Sequence, residues 1–259
     1  MQIYAAPLAM AMQGGGLRGS LFGFGAGFAY FGENYILQSN FAYAHGISNQ
    51  NLSTQSTKIN GDLIQINALW RLFFFEKLEA DFGADFLLGR FSVANAWFSD
   101  ESMNLNADFN NYGLDLSVIV GWRFGSAFSF KPFAGLLVHF EAQDNFRQNG
   151  GLGIESKARN ALIAGILVGA EMHYNFTNGI LAYAKAQYET FSPQKDERFA
   201  LNGANLNYQN NNYKHIISVN VGASFALPKN LALDLEALYQ RYNDGENYFG
   251  GNVALWWKF

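Results

Sequence analysis

The sequence predicts an all-β fold: a transmembrane, antiparallel, up-and-down β-barrel of twelve strands, with residues 1–259 forming one domain. Apolar and polar residues alternate with a period of two over segments about ten residues long, and aromatic residues mark the segment ends. Short and long polar breaks then alternate strictly between the segments, as expected when one side of a barrel is periplasmic and the other extracellular. A ten-stranded barrel with a lumenal N-terminal segment is the alternative.

The composition excludes several other classes. The 259 residues include 27 Gly and 25 Phe, with 17% aromatic residues, 15% charged residues and no Cys, against roughly 25% charged residues in soluble proteins. The aromatic content excludes disorder, the lack of Cys excludes a disulfide scaffold, and a net charge of −4 gives no reason to expect nucleic acid. A helical span needs about 20 apolar residues, which no stretch of the chain supplies.

The first strand is predicted because a barrel of this kind has an even number of strands, and its own sequence pattern is weak. Residues 3–12 supply it, although Pro7 weakens the prediction because a proline is awkward inside a ladder. No basic region followed by an apolar region precedes this segment, so no signal peptide is expected within the chain. The clearest alternation lies in the later segments: residues 78–91, 113–124, 216–227, 231–239 and 249–259.

The breaks between segments define the predicted topology, with both termini on the periplasmic side. Short turns are predicted at residues 31–34, 76–77, 125–127, 177–179 and 228–230. Longer polar loops are predicted at residues 47–58, 94–111, 142–157 and 192–212, with a tight turn at residues 244–246 and a turn in the QGGGLRG segment after the first strand.

Three segments resemble the translocator domains of autotransporters (type V secretion), and the pattern is most similar to epsilonproteobacterial toxin-like members. They are GLRGSLFGFGAGFAYFGENYILQSNFAYAHG, FSFKPFAGLLVHFEAQDNFRQNGG and the closing hairpin FALPKNLALDLEALYQRYNDGENYFGGNVALWWKF. The resemblance implies a bacterial outer-membrane location and a passive anchor and conduit for an N-terminal passenger. It also implies contact with outer-membrane lipid, lipopolysaccharide and the β-barrel assembly machinery, and no cofactor.

Family members carry an α-helical linker inside the pore before the first strand. Here MQIYAAPLAM matches that first strand itself, so the linker and passenger are expected to be absent from this chain. A stand-alone, porin-like channel for ions or small solutes is the alternative function.

Parity also predicts which ionisable side chains face the lumen, because charges facing hydrocarbon are costly. Two interpretations of these residues are equally supported. They form the wall of a hydrated pore, which would prefer cations if it is open, or they form ion pairs that fill and stabilise the interior. The predicted pore-lining residues are Arg71, Glu79, Asp81, Asp85, Asp115, Arg123, Lys131, His139, Glu141, Glu171, His173, Lys185, Glu189, Asp234 and Glu236, together with Lys258.

The glycines Gly23, Gly25 and Gly27 share the lumenal face of the second strand. They favour either strand curvature or a smooth surface for a pore helix. A nucleotide-binding loop is excluded because no βαβ unit surrounds them.

Catalysis and metal binding are not expected. His45, His139, His173 and His215 have no neighbouring Asp in sequence, whereas a rim protease or a lipid-face acyl hydrolase would need His beside an acid or a nucleophile. The chain is therefore predicted not to be an enzyme.

The C-terminal strand carries the last predicted site. Val253, Leu255, Trp257 and Phe259 alternate along one face. This pattern resembles the signal read by the β-barrel assembly machinery and is also that of an ordinary lipid-facing strand.

Overall fold

The computed structural model describes most of the chain. It covers residues 1–14, 17–51, 55–75, 77–97, 104–147, 154–156, 158–176, 179–192, 197–201, 204–208, 214–243 and 245–259. The described residues contain no helix long and apolar enough to cross a membrane.

Twelve long antiparallel strands form a closed barrel, as predicted. They are β1 (Gln2–Gly14), β2 (Leu17–Phe31), β3 (Tyr35–Asn51), β4 (Gln55–Phe74), β5 (Leu78–Trp97), β6 (Leu105–Trp122), β8 (Phe128–Gln143), β11 (Arg159–Asn175), β12 (Ile180–Phe191), β15 (Lys214–Leu227), β16 (Leu231–Tyr242) and β17 (Asn247–Lys258). A short extra strand, β7 (Phe124–Gly125), pairs with β8.

Sequential strands pair in order, and β1 pairs with β17 to join the first strand to the last. Each strand therefore has a neighbour on both sides to which its backbone N–H and C=O groups can hydrogen-bond. A bilayer requires this because its hydrocarbon offers no hydrogen-bond partner. Pro7 lies within β1 and is in register with Phe24 of β2. On the β17 side the bridges stop at Ala5 and resume at Leu8, because proline has no N–H to donate.

The predicted short turns lie at one end of the barrel, which we call the short-turn end. Gly125 and Gly179 adopt φ angles of 84° and 74° there, and Lys229 and Asn230 adopt 62° and 60° in the β15–β16 turn. Parts of three predicted turns, at residues 15–16, 76 and 177–178, lie outside the described residues, as does residue 244 of the predicted last turn.

The predicted long loops are wrong in extent, because the strands continue into them. Asn51 pairs with Ser56, inside the loop predicted at residues 47–58. Asn95 pairs with Leu105, inside the loop predicted at residues 94–111. Polar side chains end the apolar alternation, but the backbone ladder continues because it depends on neighbouring N–H and C=O groups rather than on side-chain polarity.

The other two predicted loops contain a second, four-stranded sheet. It consists of β9 (Phe146–Arg147), β10 (Ile154–Ser156), β13 (Glu197–Leu201) and β14 (Ala204–Tyr208), paired in the order β14-β13-β10-β9. This sheet belongs to the opposite end of the barrel, which we call the long-loop end.

The two faces of the barrel wall differ in polarity. Large apolar side chains stand exposed on the outer face at alternate positions, and the positions between them turn inward. Representative outer-face residues are Phe22, Phe24, Trp70, Phe82, Leu116, Leu136, Ile166, Val221 and Trp257. Such an exterior is stable only against hydrocarbon, because a soluble protein rarely exposes so large a contiguous apolar area.

Candidate functional site

Charged side chains meet across the inner face of the barrel near the short-turn end. Glu79 lies on β5 and Lys131 on β8, with β6 between them, yet Lys131 Nζ donates to Glu79 Oε2 at 2.8 Å. Side chains on non-adjacent strands can touch only through the interior. Both side chains are 4% exposed, so this ion pair is removed from bulk water.

Arg123 links the same carboxylate to a third strand. Its Nε donates to Glu79 Oε1 at 2.5 Å, and its Nη2 donates to Glu171 Oε1 of β11 at 2.9 Å. Glu171 also accepts from His173 Nε2 at 2.9 Å. Arg71 completes the cluster with a bidentate contact to Asp81, at 2.7 Å from Nε and 2.8 Å from Nη2.

We call this group the ion-pair cluster, and its members are Arg71, Glu79, Asp81, Arg123, Lys131, Glu171 and His173. Three cations face three carboxylates, so its charges balance without counting His173. Burying charge costs several kcal/mol per ion unless partners and hydrogen bonds compensate. The density of contacts around Glu79 supplies that compensation and joins β4, β5, β8, β11 and Arg123, which follows β6, on one wall.

A second group lines an interior cavity of about 850 Å³ further toward the long-loop end. Its predicted members are Asp85, Asp115, His139, Glu141, Lys185 and Glu189. Asp115 contacts His139 Nδ1, Gln65 donates to Asp85, and Gln187 donates to Glu189. We call this space the acidic cavity, because four carboxylates outnumber its fixed cations Lys185 and Lys214.

Lys185 lies on the side of the acidic cavity nearer the ion-pair cluster. Its Nζ is 5.2 Å from the centroid of the Phe133 ring, and it is opposite Glu171 in the β11–β12 register. A cation over an aromatic face is attracted by the ring quadrupole, which helps to hold this lysine in the interior.

The remaining predicted residues lie on the opposite wall. Glu236 of β16 accepts hydrogen bonds from Tyr183 Oη at 2.9 Å and from Asn220 Nδ2 at 2.8 Å. Asp234 and Lys258 line a cavity of about 700 Å³ at the short-turn end, together with Arg71. The structure thus distributes the predicted set over two walls and two cavities rather than one site.

Two of the three glycines of β2, Gly23 and Gly27, allow neighbouring residues to pack closely over its inner face, whereas a Cβ at Gly25 would meet no atom closer than 3.5 Å. A Cβ at Gly27 would lie 2.6 Å from Tyr4 Cε1, and one at Gly23 would lie 2.6 Å from Ala44 Cα. A side chain there would therefore displace the residues of β1 and β3 that pack over the strand.

The register brings aspartates to histidines that have no Asp nearby in sequence. His139 is opposite Asp115, and His45 is opposite Asp62. His45 Nδ1 lies 2.9 Å from Asp62 Oδ1, to which Tyr43 Oη donates at 2.7 Å. Their parity places this group on the outer face, and sequence reasoning missed it because Asp62 lies on another strand. The described residues contain no group of three or more His, Cys, Asp or Glu side chains that could hold a metal ion.

The four residues of the predicted assembly signal lie at alternate positions of the C-terminal strand, on the outer face. Val253, Leu255, Trp257 and Phe259 are 45–61% exposed. The Trp257 and Phe259 rings lie 4.8 Å apart, and the backbone N–H of Phe259 donates to the Met1 carbonyl at 3.1 Å.

A closed barrel with an apolar exterior and a charged interior defines a transmembrane β-barrel of the bacterial outer membrane. The family model for the C-terminal domain of the vacuolating cytotoxin autotransporter VacA matches residues 2–259. The chain belongs to this family and is an autotransporter translocator domain, which confirms the predicted family, fold class and outer-membrane location. No curated protein sequence matches the chain.

Solved structures share the fold at low sequence identity. The translocator domain of NalP from Neisseria meningitidis has a TM-score of 0.77 at 15% identity, covering 100% of this chain and 88% of that one. The β-domain of the Bordetella autotransporter BrkA has 0.63 at 14%, covering 99% and 98%. The toluene transporter TodX of Pseudomonas putida has 0.56 at 7%, covering 100% and 89%.

Proposed function

We propose that residues 1–259 act as one domain, with both termini in the periplasm, and that a passenger reaches the cell surface through the barrel interior. The observation that carries this proposal is the inner face around both interior cavities, which carries polar and charged side chains. An extended polypeptide crossing such a lumen keeps its backbone groups solvated or hydrogen-bonded, whereas hydrocarbon would leave them unpaired. We assign no catalytic step to the barrel.

Passage through the interior predicts which positions a passenger touches. Ser117 lines the acidic cavity, and its neighbour Val118 is exposed on the outer face. We expect a photo-reactive residue at position 117 to crosslink to a passenger held in transit, and the same residue at position 118 not to do so. The passenger is a reporter protein that carries a disulfide-closed loop, which stalls it during passage. A signal peptide precedes the reporter, and a helical linker joins the reporter to residue 1.

Two measurements decide this proposal. Crosslinks are detected by the mobility of the reporter on gels, and the surface display of a loop-free reporter is measured by added protease. Crosslinking from position 118 alone, or display without any crosslink from position 117, would contradict passage through the interior.

A stand-alone channel is the second candidate, and the two interior cavities favour it. It predicts single-channel conductance by the purified chain and no gain of surface display by a fused reporter. Display of the reporter therefore separates the two candidates.

We further propose that the assembly machinery reads the outer face of β17. The exposed side chains of Val253, Leu255, Trp257 and Phe259 are available to a partner before the strand meets β1. Phe259→Ala is expected to lower several-fold the amount of folded barrel in the outer membrane, as measured by heat-modifiable migration on gels. Phe249→Ala, which removes an outer-face aromatic from the other end of the same strand, is the matched control; an equal loss in both variants would contradict a terminal signal.

A further inference from the structure

A shallow depression crosses the outer face where the first and last strands meet. One register row forms it: Val221, Ala237, Gly251, Ala9 and Phe22 are successive cross-strand partners on β15, β16, β17, β1 and β2. The three central residues are small and the two flanking residues are large. We call this depression the seam groove, and its volume is about 850 Å³.

The groove is lined by apolar side chains on the side nearer the short turns as well. Leu235, Val253 and Pro7 line it there. Other rows of the outer face carry large side chains, as in the row that contains Phe86 and Leu114, whereas Ser39, Ala68 and Ala84 form a second row of small residues with no arginine row beside it among the described residues. The seam groove is thus an apolar recess of about 850 Å³ on the outer face, which is large enough to take a hydrocarbon chain.

Two arginines lie beyond the groove toward the long-loop end. Arg241, Asn247, Gln13 and Arg18 form one register row, four residues along each strand from the groove row. Both arginines are exposed, and no carboxylate among the described residues forms an ion pair with either one. Tyr239 and Phe249 lie between the two rows, with ring centroids 5.0 Å apart.

The row places two cations and two amides on the long-loop side of the apolar recess, about 13 Å along the strands at roughly 3.3 Å per residue, with the Tyr239–Phe249 row between them. Arg241 and Arg18 are separated by three strand spacings, about 14 Å at roughly 4.8 Å per step. Guanidinium groups bind phosphate bidentately, and basic residues at a membrane interface attract anionic headgroups. Two separated arginines suit a headgroup with two phosphates better than one with a single phosphate.

We propose that the seam groove binds one molecule of lipopolysaccharide through its lipid A anchor. An acyl chain occupies the groove over Ala237, Gly251 and Ala9, while Arg18 and Arg241 hold the two phosphates and Gln13 and Asn247 donate further hydrogen bonds. This inference rests on the proposed orientation, in which the long-loop end faces the outer leaflet.

Native mass spectrometry of the folded full chain in detergent, titrated with bis-phosphorylated lipid A, tests the headgroup contacts. We expect one lipid A molecule per barrel. The double variant Arg18→Gln/Arg241→Gln should weaken binding about 25-fold, because each basic residue at the interface contributes roughly a fivefold factor. Arg90→Gln, which removes an exposed outer-face arginine of β5, five strands from Gly251 at the groove centre, is the matched control and should leave binding unchanged.

A second pair of variants tests the groove itself. Ala237→Phe fills the recess and should weaken lipid A binding several-fold with both arginines intact. Ala68→Phe adds the same ring to an exposed outer-face alanine of β4, away from the groove, and should leave binding unchanged. Heat-modifiable migration verifies that every variant folds.

Each other outcome overturns the proposal. Equal weakening of lipid A binding by Arg90→Gln would mean that general surface charge attracts the lipid. Unchanged binding in Ala237→Phe would exclude the groove as the acyl-chain site. A lipid-free dimer that dissociates in Ala237→Phe would show that a second copy of the chain occupies the groove. Reporter display is measured on the same variants. Normal display without lipid A binding rejects only this lipid site, whereas loss of display in the wild-type fusion rejects the proposed function.

Discussion

Replacing Glu79 by Gln is expected to lower the free energy of unfolding by about 3–5 kcal/mol, the cost of breaking a buried ion pair from one side. The Glu79 carboxylate contacts Lys131 at 2.8 Å and Arg123 at 2.5 Å, and the Arg71 guanidinium lies 3.7 Å away. The amide keeps the shape of the side chain but not its charge. Three cations would then face only Asp81 and Glu171.

Urea unfolding of the barrel refolded in lipid vesicles measures this effect. Glu33→Gln is the matched control, because Glu33 is exposed in the β2–β3 turn and such a surface change typically stays within about 0.5 kcal/mol. If the free energy of unfolding of Glu79→Gln stayed as close to the wild-type value as that of Glu33→Gln, the ion-pair cluster would be solvated and would not stabilise the barrel.

The second large effect expected is on ion selectivity. The acidic cavity carries Asp85, Asp115, Glu141 and Glu189 against Lys185 and Lys214, and charged side chains that line a pore select ions of opposite sign. The purified barrel is expected to prefer cations. The fourfold variant Asp85→Asn/Asp115→Asn/Glu141→Gln/Glu189→Gln should bring the cation-to-anion permeability ratio to about one or below.

Reversal potentials across a planar bilayer, under a gradient of potassium chloride, measure that ratio. Asp62→Asn is the control, because this carboxylate lies on the outer face beside His45 and should not alter permeation. An unchanged ratio in the fourfold variant would show that the acidic cavity does not lie on the ion path.

Much of the barrel wall could be predicted, because a strand side chain has only two directions in which to point. The alternation around Phe82 and Phe86 separates the outer face from Glu79, Asp81 and Asp85 without reference to any other strand. The same rule places Trp257 outward and Lys258 inward. The loops were less predictable: the polar residues around Asn51 and Asn95 remain in ladders, because the hydrogen bonds that hold them involve backbone groups of every residue type.

Pairings between side chains depended on the register. Asp115 meets His139 because β6 and β8 align those two positions, and a shift of one residue would turn one of them to the other face. The His45–Asp62 contact on the outer face arises in the same way, and so does the seam groove, whose row crosses five strands and joins the two ends of the chain.

The sequence by itself determined the all-β class, the number of strands, the family and the face on which each strand residue lies. Each of these follows from local periodicity, from the order of breaks or from patterns within a single segment. Only the tertiary structure decided that Glu79 collects two cations from beyond its own strand, that Asp115 and Asp62 reach His139 and His45, and that a recess forms between β16 and β2. Those outcomes depend on strand register and barrel closure, which bring together residues that no local pattern relates.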